Sequence, residues 1–273
     1  MLPSFELALA ALILAAPAAR ATPAVPPAAP ALARLGFVER QVELSSSPRD
    51  RREAREGTPM RLGERIRTAA DALARLDLPW MTMTVSPASA VRFPDDYLLA
   101  AVLEEGRVQI RAANEMLKLV TDEAEVRGHG SAVVRHEKKA TLVTALSGRF
   151  YVAAAGRTVT LAAGTGTIVL AGRPPLSPMD LPEPPAELSP GSDPRYAGLG
   201  EPVSLSWRSR AAAHQVEVLP VGSDDVLIQR DVGAPPWALT IPWRGAFRWR
   251  VATRDERGLE GKPSAEGLIC IDK

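Results

Sequence analysis

The residues of this chain best suited to hold a metal or move a proton are its three histidines, His129, His136 and His214. His129 and His136 lie close together, but His-x6-His is not a metal-binding spacing. No cysteine cluster and no HExxH accompanies them. His129 stands between Gly128 and Gly130, the simplest reading of which is an exposed turn histidine. GHGS (128–131) has the glycines of an oxyanion loop without a G-x-S-x-G elbow to carry a nucleophile. AGTGT (163–167) is glycine-rich, yet it lacks the G-x-x-x-x-G-K that cradles a phosphate, so it reads as a turn between strands. The acidic pairs Asp95-Asp96, Glu104-Glu105 and Asp224-Asp225 are neighbours in sequence. A glycosidase needs two carboxylates facing each other across a cleft, and adjacent acids in turns are ordinarily solvated. Of the five tryptophans, Trp243, beside Pro242 and Arg244, is the candidate for an exposed aromatic that a ligand stacks on, with core or rim packing as the alternative. The one cysteine, Cys270, reads as a small buried hydrophobe. No set of residues calls for a metal or a cofactor, and the chain is expected to be a non-enzyme that works by binding.

The elements that carry these residues are strands. In WMTMTV (80–85), Met81, Met83 and Val85 share one face, and Thr82 and Thr84 the other. In GRVQIR (106–111), Val108 and Ile110 point one way, while Arg107, Gln109 and Arg111 point the other. TVTL (158–161) repeats the alternation with Val159 and Leu161. Short period-2 runs separated by Gly, Asn or Asp mark half-buried strands. GRVQIRAANEMLKL (106–119) also aligns without a gap on GRFYVAAAGRTVTL (148–161), with Gly106 on Gly148 and Arg107 on Arg149. Each copy reads as strand, turn, strand. Equivalent hairpins at a fixed offset predict stacked, solenoid-like β layers.

Composition sets the frame. The chain has 273 residues, 46% hydrophobic and 24% charged, as an ordinary globular protein does. With 33 basic and 32 acidic residues it has no excess charge to suggest a nucleic-acid partner. Its prolines divide it. TPAVPPAAPALARL (22–35) and the charged RDRREARE (49–56) read as a linker and a solvated segment before the first domain. The stretch 172–202 holds nine prolines, too many for a helix or a sheet interior. This predicts a domain over 57–171, a linker over 172–200 and a smaller β domain over 201–273. The run LALAALILAA (7–16) is too short to cross a hydrocarbon core of about 30 Å. With Ala19-Arg20-Ala21 it fits a secretory signal peptide over 1–21, cleaved before Thr22, which predicts a periplasmic location. An uncleaved anchor or an upstream start is the alternative, since the segment before the run has no Lys or Arg.

Three segments together resemble the periplasmic FecR domain. They are GTPMRLGERIRT (57–68), VRGHGSAVVR (126–135) and TALSGRFYVAAAGRTVTLAAGTGTIV (144–169). The resemblance covers about 57–171. It departs from the family where an expected Gly-Thr-x-Phe reads Gly130-Ser131-Ala132-Val133. Residues 201–273 resemble a fibronectin-type-III-like sandwich, in which Trp207, Phe247 and Trp249 would be core residues. At under about 100 residues the segment is short for that fold, so one strand is either missing or borrowed from the linker.

Strand alternation implies an all-β protein; its β surfaces, the signal-peptide-like start and the lack of a catalytic set point to one function, and the resemblance implies a second. One is a binding or scaffolding module whose partner is an envelope protein or a cell-wall polymer. The other is a part of a cell-surface signalling system acting through a separate membrane partner. The polar strand face of Arg107, Gln109 and Arg111, extended by Arg149 and Tyr151, is the surface expected to bind, with Trp243 as the aromatic candidate. The competing reading of that face is an ordinary solvated sheet surface.

Overall fold

The computed structural model describes residues 31–47, 49–94, 100–114 and 118–272. The expected signal peptide and the Asp95-Asp96 pair lie outside the described residues. The fold is all-β. Among the described residues there is no helix, and none therefore long and apolar enough to cross a membrane.

The first unit contains β1 (Ala33–Glu39), β2 (Val42–Ser47), β3 (Asp50–Glu53), β4 (Pro59–Met60), β5 (Arg65–Thr68), β6 (Leu73–Leu78), β7 (Met81–Val85) and β8 (Ala90–Arg92). It continues with β9 (Ala100–Ala112), β10 (Lys118–Val120), β11 (Glu125–Glu137), β12 (Ala140–Ala154), β13 (Arg157–Ala162), β14 (Thr165–Leu170) and β15 (Met179–Asp180). All fifteen belong to one folded-over sheet, whose main path runs β15-β14-β12-β11-β10-β9-β7-β6-β1-β4. The period-2 pattern is what closes it. Met81, Met83, Val85, Val108, Ile110, Phe150, Val152, Val159 and Leu161 all enter one core. Each buried side chain of this size contributes roughly 1.5–3 kcal/mol.

Two expectations about this unit are corrected. Residues 33–54 are not a linker. They form β1 to β3, and Leu35, Val42 and Leu44 are buried in the first core. The charged RDRREARE is the solvated edge β3, paired to β2. The two copies of the internal repeat also differ. The second is the expected hairpin, with Ala154 facing Arg157 across a two-residue turn. The first is not: β10 returns to lie parallel beside the start of β9, Lys118 against Ala100, while the other strand pairs described in this sheet are antiparallel. The repeat is nonetheless physical at its glycines. Gly106 and Gly148 both hold positive φ, 87° and 74°, and a Cβ at either would meet atoms of the adjoining strand or turn at 2.2 Å or less.

The second unit comprises β16 (Ala186–Ser189), β17 (Arg195–Ala197), β18 (Pro202–Arg208), β19 (Ala213–Pro220), β20 (Ile228–Val232), β21 (Trp237–Thr240), β22 (Gly245–Arg254), β23 (Glu260–Pro263) and β24 (Gly267–Ile271). A three-stranded sheet, β16-β18-β21, faces a six-stranded one, β17-β24-β22-β19-β20 with β23 beside β22. Val203, Leu205, Trp207, Phe247, Trp249 and Val251 meet between them, as their alternation predicts. The proline-rich 172–200 is only in part a connector. It supplies β15 to the first unit and β16 and β17 to the sandwich, so the short second domain does borrow strands from it. Residues 258–264 contain β23.

Candidate functional site

The alternation that puts Val108 and Ile110 in the first core turns Arg107, Gln109 and Arg111 to the opposite face of β9. That face is covered. The outer face of the six-stranded sheet packs on it, and side chains there alternate with core residues in the same way. Gln215 and Glu217 alternate with Val216 and Val218 on β19, and Arg248 and Arg250 alternate with Trp249 on β22.

Two charged sheet faces therefore meet and neutralise each other. Arg107 is 4% exposed. Its Nε donates to Glu260 Oε2 at 2.9 Å, its Nη2 to Glu260 Oε1 at 2.6 Å, and its Nη1 to Ser86 Oγ at 2.8 Å. Glu217 takes Arg250 Nε at 2.8 Å and Gln229 Nε2 at 2.9 Å. Burial alone would raise the Glu217 carboxyl, but Arg250 and Arg107 outweigh it and hold the group below the usual carboxylate range. Arg135 donates to Glu137 at 2.8 Å and reaches Asp231 at 3.4 Å. Asp231 also pairs with Arg254 at 2.7 Å. Burial pushes the Asp231 carboxyl up, and Arg135 with Arg254 draws it down further. At the far end Arg75 pairs with Asp225, and Arg111 with Asp224 at 3.0 Å. Among the described residues, two buried apolar clusters cross the junction: Leu73 with Leu219 and Val226, and Leu142 and Ile168 with Leu259.

At the edge of this junction lies a cleft of about 590 Å³. Residues 86–88, Glu104 to Arg107 and the β11–β12 turn form one wall; Gln215 and β20 residues Gln229, Arg230 and Asp231 form the other. Its acids are already paired: Glu104 with Arg65 and Arg92, Glu105 with Arg67, Glu137 and Asp231 with Arg135. Its rim cations Lys138 and Arg230 have no carboxylate partner among the described residues. Lys138 sits with Lys139 in the turn at φ 47° and 65°. Asn and Gly adopt such a turn at low cost, so two lysines hold it against their backbone preference.

The expected binding residues separate on this structure. Arg107 is not exposed: the second unit covers it, and Gln109 is half-buried beside it. Their polar alternation looks the same whether water or another polar sheet lies opposite. Arg111 is exposed at the end of the junction. Arg149 is exposed and Tyr151 half-buried on β12, away from the cleft's lining. Trp243 is half-buried and packs on the sandwich core. The sequence reading missed Glu217, Asp231, Glu260, Lys138 and Arg230. The off-face residues of HQVEV and GAFRWRVA were the available signal, since charges alternating with core residues on two neighbouring strands define a charged sheet face.

His136 is buried in the lining of the cleft, next to Arg135. Its Nδ1 lies 2.9 Å from Glu123 Oε2, and Glu123 also accepts the Thr141 hydroxyl at 2.9 Å. Among the described residues no group of three or more His, Cys, Asp or Glu side chains is placed to hold a metal ion.

No family model matches the chain, and no curated protein matches it. Among solved structures, a candidate anti-sigma factor from Parabacteroides distasonis ATCC 8503, seen in two crystal structures, is 17% identical over 42% of this chain and 59% of its own, with a TM-score of 0.37. The extracellular domain of a candidate one-component system from B. thetaiotaomicron is 9% identical over 74% of this chain and 35% of its own, with a TM-score of 0.24. The chain thus spans less than two thirds of the length of each. Likeness at this level assigns no role.

Proposed function

We propose that this protein is a non-enzymatic binding module of the bacterial envelope, with a FecR-like first domain and a sandwich second domain that together present the cleft at their junction to a partner. The observation that supports this is the cleft itself: two rim cations with no carboxylate partner among the described residues, above walls whose other charges are mutually satisfied. Clefts of a few hundred cubic ångströms with a few convergent polar groups are the usual form of a binding site. The junction ion pairs fix the two walls relative to each other. The partner is an envelope protein or wall polymer, as the signal-peptide-like N-terminus suggests.

A photo-crosslinking residue placed at Ala88 or at Lys138 tests this in whole cells. The expected result is one shared envelope adduct from both positions, absent when the probe replaces exposed Arg149. The same adduct from Arg149, or none from the cleft, overturns it. Hydrolysis of a wall polymer by the purified protein would overturn the non-enzymatic reading.

A further inference from the structure

We propose that β13 is a docking edge for a second copy of this chain, the two first units joining antiparallel, β13 on β13, about a two-fold axis at Thr160. This edge lies outside the cleft, so the proposal stands or falls separately from the binding reading above.

β13 pairs with β12 alone. The turn between them has two residues, Ala155 and Gly156, at φ 45° and 74°, as in the type I′ turns that tight hairpins favour. Such a turn makes its flanking residues, Ala154 and Arg157, a mutually hydrogen-bonded pair, and bonded and non-bonded pairs then alternate along the ladder. Val159 and Leu161 therefore turn their N–H and C=O groups toward β12, and Thr158, Thr160 and Ala162 turn theirs outward. Those three are exposed, whereas Val159 and Leu161 are buried in the first core. Among the described residues no backbone group bonds to that outer side. The one side chain that does is Thr165, whose hydroxyl donates to the Ala162 carbonyl at 2.8 Å.

Proteins ordinarily blunt such an edge with charge, proline or a covering element. β3, another strand with a single neighbour, is DRRE, charged at every position. Residues 158–163 read TVTLAA, with neither a charge nor a proline. A second copy suits this edge because the strand is complementary to itself. With Thr160 opposite Thr160, Thr158 of each copy lies opposite Ala162 of the other, so outward-turned groups meet outward-turned groups. Val159 then lies opposite Leu161 on the apolar face, and Arg157 opposite Ala163, so no like charges meet. Threonine and apolar cross-strand pairs stabilise a ladder, and like charges directly opposite weaken it. The contact uses the same patch on both copies and closes at two.

Sedimentation of the full chain up to about 1 mM reads self-association. The expected result is a concentration-dependent dimer, with amide hydrogen exchange at Thr158 and Thr160 slowing as it forms. Thr160→Pro removes an outward N–H that the β12–β13 ladder does not use. It should keep the melting temperature and abolish the dimer. Thr160→Lys and Thr160→Glu should each weaken association, and their equimolar mixture should associate at least about threefold more tightly than either alone, because Lys then faces Glu across the axis. If Thr160→Pro lowers the melting temperature, the charge variants decide. A chain that stays monomeric at about 1 mM overturns the proposal, even where another protein protects the edge. So does a dimer that Thr160→Pro leaves intact, or a mixture no tighter than its components.

Discussion

Arg107 and Glu260, 153 residues apart in the chain, meet in a two-bond fork, Nε to Oε2 at 2.9 Å and Nη2 to Oε1 at 2.6 Å, buried where the two units join. Each is the other's principal neutralising partner. Removing one member of a buried pair leaves a charge without compensation and typically costs about 3–5 kcal/mol. Arg107→Ala should therefore lose that much in urea unfolding. The double variant Arg107→Met with Glu260→Leu should lose markedly less, because both charges of the fork leave together and Arg135, which also reaches Glu260 at 3.7 Å, keeps Glu137 and Asp231. Equal losses in the single and double variants would show that the fork does not hold the junction.

The junction should also open in acid. The folded-state values of Glu217 and Asp231 lie below their unfolded values. Such groups contribute stability above the unfolded value, and that contribution disappears as pH falls through the folded one. The loss should thus begin at about pH 5, where unfolded carboxylates start to take up protons, and grow as the pH falls further. Small-angle scattering should show the two units separating there before circular dichroism shows loss of strand. A radius of gyration constant down to the unfolding pH would contradict this.

Trp249 and Trp243 should behave differently. Trp249 is fully buried, and its Nε1 donates to Pro190 O at 3.0 Å. Trp249→Ala should cost roughly 3–5 kcal/mol as a large buried aromatic, with the lost hydrogen bond leaving the Pro190 carbonyl unpaired. Trp243 is half-buried, so Trp243→Ala should be much milder. Thermal melts of the two variants read the difference, and equal shifts would place both residues in the same environment.

What was legible in the sequence was whatever alternation alone decides. Met81, Met83 and Val85, and Phe247, Trp249 and Val251, are buried as their spacing predicts, because a strand with one apolar face has one way to turn. What was not legible is what lies opposite a polar face. Arg107, Gln109 and Arg111 carry the same pattern whether solvated or covered, and only the matching charges of β19, β20, β22 and β23 decide it. β1 to β3 were hidden differently. Proline and charge on either side of Leu35, Val42 and Leu44 resemble a linker, and the strands exist because β5 and β6 offer edges far along the chain. The cleft needs both units in place, so no local segment announces it.

The last prediction concerns that hidden start. A chain beginning at Gly57 keeps every residue of the expected first domain but lacks β1, β2 and β3. It loses the β1–β6 and β2–β5 ladders together with buried Leu35, Val42 and Leu44. Those three side chains alone contribute roughly 5–9 kcal/mol at the usual 1.5–3 kcal/mol each. That is comparable to the whole stability of a domain, about 5–15 kcal/mol. The chain starting at Gly57 should be unfolded or aggregated when purified, whereas one starting at Ala31 should melt cooperatively. A well-dispersed amide NMR spectrum from the shorter chain would show that β1 to β3 are dispensable and that the linker assignment was right.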